Sequence, residues 1–322
     1  MMDTDSQRDR ATNDADQSPT HPEWTAEYNG NTVSAEAIRN ESVPSLKESL
    51  RLSREFFNDD EEYIQFWNEV FRDIINHGSM DLLLYMLDNE GAPVTTVTPN
   101  PIFEWATKQL IDALIMRGWD VNTMDSVAIQ RSSLIDYFIR KRYGKEDLAR
   151  WLIEEKGVAV SDVQFNPREN AMSYPPSLLE ICAAIGTLPM LRFLEEKGAS
   201  PSPRMLHVAV EAAAAKGADP NNASPDDSVQ MLRYLVDECQ MDVNASDIDV
   251  PPRDRHQFMY PGTPVMYAAR CQDEVSVVRW LLKKGAGPAL KSAPTGLDAL
   301  AYARETRYFE ILSKQSRENN PG

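Results

Sequence analysis

The chain has 322 residues, of which 42 % are hydrophobic and 8 % aromatic, and its formal net charge at pH 7 is −17. The hydrophobic fraction is enough for one or two compact domains or for one extended repeat array. The acidic balance argues against binding to nucleic acid or to an anionic membrane surface, because both require clustered lysine and arginine. The three cysteines show no spacing typical of a disulfide framework or a zinc site.

The beginning of the chain shows no targeting or membrane-spanning segment. No apolar stretch like that of a signal peptide is present, and no window approaches the roughly 18 consecutive apolar residues of a membrane span. We therefore expect an intracellular, cytoplasmic protein, with the nucleus as an alternative location.

The N-terminal part divides into a polar segment and a helical one. Residues 1–42 are rich in Asp, Ser, Thr, Asn and Pro without a hydrophobic period, which is typical of a disordered acidic tail. The apolar pattern then predicts helices at 45–57 and 60–76. We interpret residues 43–65 as an N-terminal helical cap.

One short phrase recurs along the rest of the chain, with its arginines separated by 42, 41 and 46 residues. The four copies are Ala149-Arg150-Trp151-Leu152, Leu191-Arg192-Phe193-Leu194, Leu232-Arg233-Tyr234-Leu235 and Val278-Arg279-Trp280-Leu281. Three copies are followed by a glycine, at Gly157, Gly198 and Gly285, which is typical of a left-handed helix end. In the remaining copy Gln240 takes that place, and we expect that end to close differently.

These signals predict a repeating unit made of a helix, a tight turn, a second helix, a glycine and an extended polar stretch. We call this extended stretch a finger. Two short helices cannot bury both apolar faces alone, whereas stacked pairs share one continuous core. The recurring aromatic side chain is therefore interpreted as part of that core.

The segment Gly262-Thr263-Pro264-Val265-Met266-Tyr267-Ala268-Ala269, followed by Leu281-Leu282 and Gly285-Ala286, resembles the ankyrin repeat family. The family pattern is G-x-T-P-L-H-x-A-A, then V-x-x-L-L, then G-A. The resemblance implies an all-α, ankyrin-type helical repeat solenoid. Unit spacings from 28 to 46 residues indicate irregular, insertion-bearing repeats. We expect about seven units over residues 66–315, followed by a frayed C-terminus at 316–322.

Motifs for catalysis are scarce. The sequence has no G-x-S-x-G, H-E-x-x-H, P-loop or G-x-G-x-x-G motif, and its four histidines have no nucleophile or metal ligand nearby in sequence. His207 matches the histidine of the family's T-P-L-H pattern, which implies a hydrogen bond that ties neighbouring units together. We therefore predict no catalytic residue, no metal ligand and no cofactor, and favour a non-enzyme.

The family resemblance implies that fingers and first helices form a concave surface that contacts partners. Inserts lengthen this region or its opposite edge at 159–176, 213–227 and 245–262. The last of them contains residue types enriched at binding hot spots, namely Arg253, Arg255, His256, Phe258 and Tyr260. The alternative is that its two aromatic side chains merely anchor a long loop.

Two further features have competing interpretations. Trp119 replaces a small residue at the base of a finger, where it is either exposed for a partner or fills a gap left by a short unit. The run Arg140-Lys141-Arg142, with Lys145, is the densest basic cluster, and such a run is usually a solvated helix end.

The sequence thus favours a monomeric, non-catalytic module that binds a protein partner on its concave face and binds neither nucleic acid nor membrane. The alternative is an enzyme that acts on a small molecule in a pocket built from the fingers, with Arg253, Arg255, His256 and Tyr260 as polar groups. A third alternative is a repeat protein that has a purely structural role. A deep pocket with converging polar groups would favour the enzyme.

Overall fold

A computed structural model describes residues 30–57, 59–125, 132–160, 176–221, 226–248, 261–271, 275–293 and 295–304. The chain divides into two compact units, Met1–Ala92 and Pro93–Gly322, which we describe separately. Within the described ranges the structure is helical, and the β-type pairing there is an isolated bridge between Met124 and Ser133. Among the described helices, none combines the length and the apolar character needed to cross a bilayer.

The first unit contains four helices: α1 (Gly30–Arg39), α2 (Val43–Phe56), α3 (Asp60–His77) and α4 (Met80–Asn89). Ser42 caps α2 and Asp59 caps α3, each accepting a hydrogen bond from a backbone amide of the first turn. The helices α2 and α3 confirm the predicted helices at 45–57 and 60–76 within two residues. The predicted boundary between cap and array, at residues 65 and 66, falls inside α3.

The predicted disordered tail over residues 1–42 is wrong for its last part, because residues 30–39 form α1. This helix packs against α2 and α3, and it buries Ala37 and Ile38. The Ser34 and Ser49 hydroxyls meet at 3.0 Å in the contact between α1 and α2. Apart from Ile38, the buried side chains of this helix are small, so the segment has few of the large apolar residues by which a helix is recognised. The tail residues 1–29 lie outside the described part of the chain.

The described ranges of the second unit contain ten helices for which both ends are described. They are α5 (Pro99–Ile102), α6 (Lys108–Met116), α7 (Leu134–Phe138), α8 (Glu146–Lys156), α9 (Leu178–Ile185), α10 (Leu188–Glu196), α11 (Met205–Ala215), α12 (Asp227–Arg233), α13 (Pro264–Arg270) and α14 (Ser276–Lys283). Short 3₁₀ turns occur at Val94–Thr96 and Lys141–Tyr143, and α12 continues into a π-helical turn at Tyr234–Glu238.

Helices of the second unit pack in pairs, and the pairs contact one another. The pairs are α7 with α8, α9 with α10, α11 with α12, and α13 with α14. The first helices α9, α11 and α13 contact each other in series, and the second helices α10 and α12 also touch. The alanines Ala209, Ala213 and Ala214 of α11 are buried, and their small side chains permit this close approach.

The recurring phrase lies on the second helices, where its aromatic side chains are buried or half-buried. Its arginines reach the next pair, because the Arg150 guanidinium lies 4.3 Å from the ring centre of Phe193 and that of Arg192 lies 4.8 Å from that of Tyr234. Lys197 also forms a 2.9 Å ion pair with Glu154 of the preceding pair. The phrase therefore encodes contacts between neighbouring pairs as well as core residues.

The ends of these second helices follow the predicted glycines. Gly157, Gly198 and Gly285 are left-handed, with φ of 67°, 91° and 94°. Gln240 is left-handed as well, with φ of 54°, but the helix before it ends in the π-helical turn Tyr234–Glu238, so this end differs from the other three as expected. Its side-chain Nε2 donates to the Asp237 carbonyl at 2.6 Å. This bond accompanies a conformation that costs an L-residue about 1–2 kcal/mol.

Candidate functional site

Five of the six predicted binding residues lie outside the described part of the chain. They are Arg253, Arg255, His256, Phe258 and Tyr260, in the undescribed range 249–260. Their role therefore stays a prediction, and the structure describes the two ends of the finger that carries them.

The sixth predicted binding residue, Trp119, lies in the interior of the second unit. Its side chain is 3 % exposed, and its indole Nε1 donates to the Val97 carbonyl at 2.8 Å. This position agrees with the interpretation that Trp119 fills a gap in the interior. It does not agree with the interpretation that Trp119 is exposed for a partner. The interpretation of Trp119 as a binding residue is thereby corrected, because an indole buried with its single donor satisfied offers a partner no surface.

The finger 245–262 is closed at its base by Asp247 and Gly262. The Gly262 amide donates to Asp247 Oδ1 at 2.7 Å, and the Asp247 amide donates to the Gly262 carbonyl at 3.3 Å. These two residues are fifteen positions apart in the sequence. The two bonds fix the points at which the finger leaves and rejoins the packed helices.

The other carboxylate oxygen of Asp247 faces two side chains from different helix pairs. The Tyr267 hydroxyl of α13 donates to Asp247 Oδ2, and Arg204 Nε, immediately before α11, lies 3.4 Å from the same oxygen. The side chains of Arg204 and Asp247 are only 3 % and 1 % exposed. Burial and the adjacent Asp247 charge raise the pKa of Tyr267, so its hydroxyl remains a donor. The cluster links two helix pairs through one buried carboxylate.

His207 of α11 contacts both ends of the same finger. Its Nε2 lies 3.1 Å from the Ala245 carbonyl and 3.1 Å from the Gly262 carbonyl. Burial lowers the pKa of His207, which makes the ring neutral, and two carbonyl acceptors require the proton on Nε2. The expectation that His207 ties neighbouring units by a hydrogen bond is confirmed.

A second finger shows the same arrangement. The Asp125 amide donates to the Ser132 carbonyl at 3.0 Å, and the Tyr137 hydroxyl donates to Asp125 Oδ2 at 2.8 Å. Sequence reasoning missed Asp125 and Asp247, although both end the phrase D-V-N-x-x-D, at residues 120–125 and 242–247. That repeated phrase is the signal by which both aspartates could have been found.

The described residues contain no group of His, Cys, Asp and Glu side chains able to hold a metal ion. An open cleft of about 370 Å³ lies between the end of α12 and the end of α14. Its lining includes Asp237, Gln240, Asp242, Asn244 and Lys284, and Lys284 Nζ lies 2.6 Å from Asp237 Oδ1. The cleft is not lined by Trp119, the predicted site residue that the structure describes, and it has neither the depth nor the converging buried groups of an active site.

Within the described ranges, helices packed in successive pairs, with polar bonds at the base of two fingers, define a helical protein. Residues 262–293 match the family model of the ankyrin repeat. The match begins at Gly262, which closes the long finger, and it covers α13 and α14. These residues are an ankyrin repeat, so the resemblance seen in the sequence is confirmed for this one repeat. No curated protein matches the chain significantly.

Proposed function

We propose that this chain is a non-catalytic protein-interaction module whose helix pairs stack as a solenoid and whose long finger 245–262 contacts a partner protein. Ankyrin repeats are in general protein-interaction modules. The neighbouring first helices form the rest of the contact surface in this proposal, and the partner is a protein of unidentified type.

The observation that carries the proposal is the closure of the finger by Asp247, Gly262 and His207. A loop whose ends are fixed has fewer conformations to lose when it binds, so less of the interaction energy is spent on ordering it. The closing bonds are buried, which protects them from competition with water. A finger that served only to connect two helices would not need such a base.

The composition of the finger supports a protein partner. Arginine and aromatic side chains dominate binding energy at protein interfaces, and the finger brings Arg253, Arg255, Phe258 and Tyr260 within eight positions. In an acidic chain, two arginines at such a site also favour a partner surface that is locally acidic.

Affinity purification of the full chain tests the proposal when the finger is changed and its base is kept. Residues 253–260 are replaced by glycine and serine at constant length, and Asp247, Gly262 and His207 remain. The matched control replaces residues 165–172 of another insert in the same way. We expect at least one copurifying protein to be lost with the first variant and retained with the second. Retention of every copurifying protein by the first variant would contradict the proposal.

The enzyme hypothesis gains no support from the described part of the chain. The open cleft beside Asp237 and Lys284 offers no converging buried groups, and the residues that this hypothesis requires, Arg253, Arg255, His256 and Tyr260, lie outside the described part of the chain. We therefore propose the interaction module alone.

A further inference from the structure

A cationic patch lies on the connection between α7 and α8, far along the sequence from the long finger. We define it as Arg140, Arg142 and Lys145, with the half-buried tyrosines Tyr137 and Tyr143. Arg142 is exposed, and the other two cations are half-buried. The cluster is opposite in sign to the net charge of the chain, which is −17.

Aromatic rings hold this patch in place. Phe103, which is 7 % exposed, stacks on Tyr137 with ring centres 4.4 Å apart and meets Tyr143 edge-on at 4.6 Å. The Arg142 guanidinium lies 4.6 Å from the centre of the Tyr143 ring. The Arg140 Nε donates to the Asp136 carbonyl at 3.2 Å. The two guanidinium groups are thus positioned by their neighbours before any partner arrives.

The cations of the patch lack the carboxylate partners that other cations of this unit have. Lys197 and Lys284 are paired with Glu154 and Asp237 at 2.9 Å and 2.6 Å. Among the described residues, no carboxylate oxygen lies within 4.0 Å of Arg140, Arg142 or Lys145.

Lys145 is the cation of the patch whose charged form is disfavoured by burial. Its Nζ donates to the Ala106 carbonyl at 3.1 Å. Burial lowers the pKa of Lys145, and the charge of Glu104 only partly opposes this effect. An anion bound at the patch would therefore offset the unfavourable burial of the Lys145 charge.

The arrangement of rings and charges excludes two other kinds of ligand. Stacking of a nucleic-acid base needs a free ring face, but Tyr137 is stacked on Phe103 and Tyr143 is covered by Arg142. Nucleic-acid binding also needs many phosphate contacts, more than three cations supply. A single phosphate needs converging donors, whereas Arg140, Arg142 and Lys145 are each anchored to a different residue, namely Asp136, Tyr143 and Ala106.

We propose that the cationic patch is a docking surface for an acidic, extended segment of a partner protein. Spaced carboxylates along such a segment match cations that are spread over a turn and the start of a helix. The negative net charge of the chain disfavours binding of an acidic segment away from the patch. This surface is separate from the long finger, so either site can exist without the other.

Fluorescence anisotropy of the full chain tests this proposal with a labelled probe of six Glu-Gly repeats and a neutral probe of six Gln-Gly repeats. The test variant is Arg140→Glu with Arg142→Glu. The matched control is Lys47→Glu with Arg72→Glu, which makes the same change in net charge at two exposed sites. If the double variant does not fold, the single variant Arg142→Glu, at an exposed position, replaces it as the test variant.

We expect saturable binding of the acidic probe alone, weakened about ten-fold by the test variant and less than about two-fold by the control. Equal weakening by both variants would overturn the proposal, as would binding of the neutral probe or no binding by the wild-type chain. Displacement of the probe by inorganic phosphate at constant ionic strength would assign the patch to phosphate instead. Tighter, patch-dependent binding of a uridine dodecamer would assign it to nucleic acid.

Discussion

Asp247 and Gly262 donate hydrogen bonds to each other across the base of the longest finger, at 3.3 Å from the Asp247 amide and 2.7 Å from the Gly262 amide. The same aspartate faces Arg204 and Tyr267, so the finger is attached to the helix pairs on both sides. Gly262 is also the first residue of the ankyrin repeat match. The closing bonds of the finger are therefore part of the contact between successive pairs.

Removing this carboxylate should destabilise the second unit. In Asp247→Ala the buried Arg204 loses the carboxylate that faces it, and Gly262 N and the Tyr267 hydroxyl lose an acceptor. We expect the free energy of unfolding in urea to fall by about 3 kcal/mol. Asp242→Ala is the control, because the exposed Asp242 carboxylate accepts a hydrogen bond from the Asn244 amide, and a loss of about 1 kcal/mol or less is expected. Equal losses of unfolding free energy in the two variants would show that the buried cluster around Asp247 does not stabilise the second unit.

The arginines of the recurring phrase provide a matched comparison. Arg150 lies over Phe193 of the next pair and donates from Nη2 to the Pro189 carbonyl, whereas Arg279 is exposed. Arg150→Ala should lower the free energy of unfolding by about 1 kcal/mol, and Arg279→Ala by roughly a few tenths at most. Urea titration of both variants measures the difference. A cost for Arg279→Ala as large as that of Arg150→Ala would contradict the contact role of the phrase.

Gln240→Gly should stabilise the chain, because Gln240 has a φ of 54° that glycine adopts without strain. We expect a gain of about 1 kcal/mol, reduced by loss of the bond to the Asp237 carbonyl. Gly198→Ala is the reverse test. A Cβ there meets nothing within 4 Å, so a loss of about 1 kcal/mol would come from the left-handed backbone alone. Thermal unfolding of both variants measures these changes in stability. A destabilised Gln240→Gly variant would contradict the proposed backbone strain at Gln240.

Asp136 should make stability depend on pH. Burial raises its pKa to about 6, although the Ser133 amide donates to its Oδ2 at 2.6 Å. The folded chain thus binds this proton more tightly than the unfolded chain, whose aspartate pKa is about 4. The resulting stability is fully present below about pH 4 and is lost as pH rises through about 6.

Comparison with Asp136→Asn isolates this contribution, because an amide keeps an acceptor for Ser133 and carries no charge. Between pH 7 and pH 4 the wild-type chain should gain about 3 kcal/mol of unfolding free energy relative to the variant. Urea titrations of both chains across this range provide the measurement. Parallel pH profiles would mean that Asp136 does not titrate in this window.

Local signals predicted much of the helical framework. Gly157, Gly198 and Gly285 correctly predicted helix ends, because the left-handed conformation at a helix end is a local property that favours glycine. At Gln240 a residue other than glycine adopts the left-handed conformation, which reasoning from glycine positions does not predict. The helix Gly30–Arg39 was missed because, apart from Ile38, its buried side chains are small.

Long-range contacts were out of reach of the sequence. Arg204 and Asp247 are 43 positions apart, and nothing local to either residue indicates the other. Trp119 had two interpretations because its indole acceptor, the Val97 carbonyl, lies 22 positions earlier. The finger residues were selected by composition alone, and that selection stays a prediction.

The affinity of a copurified partner for the full chain tests the central claim most directly. Titration calorimetry would compare the wild-type chain with the triple variant Arg255→Ala, Phe258→Ala and Tyr260→Ala, which leaves Asp247, Gly262 and His207 in place. The account predicts that Kd rises at least about 30-fold, or about 2 kcal/mol, with unchanged unfolding free energy. A Kd within about two-fold of the wild-type value would contradict the proposal that the finger binds the partner.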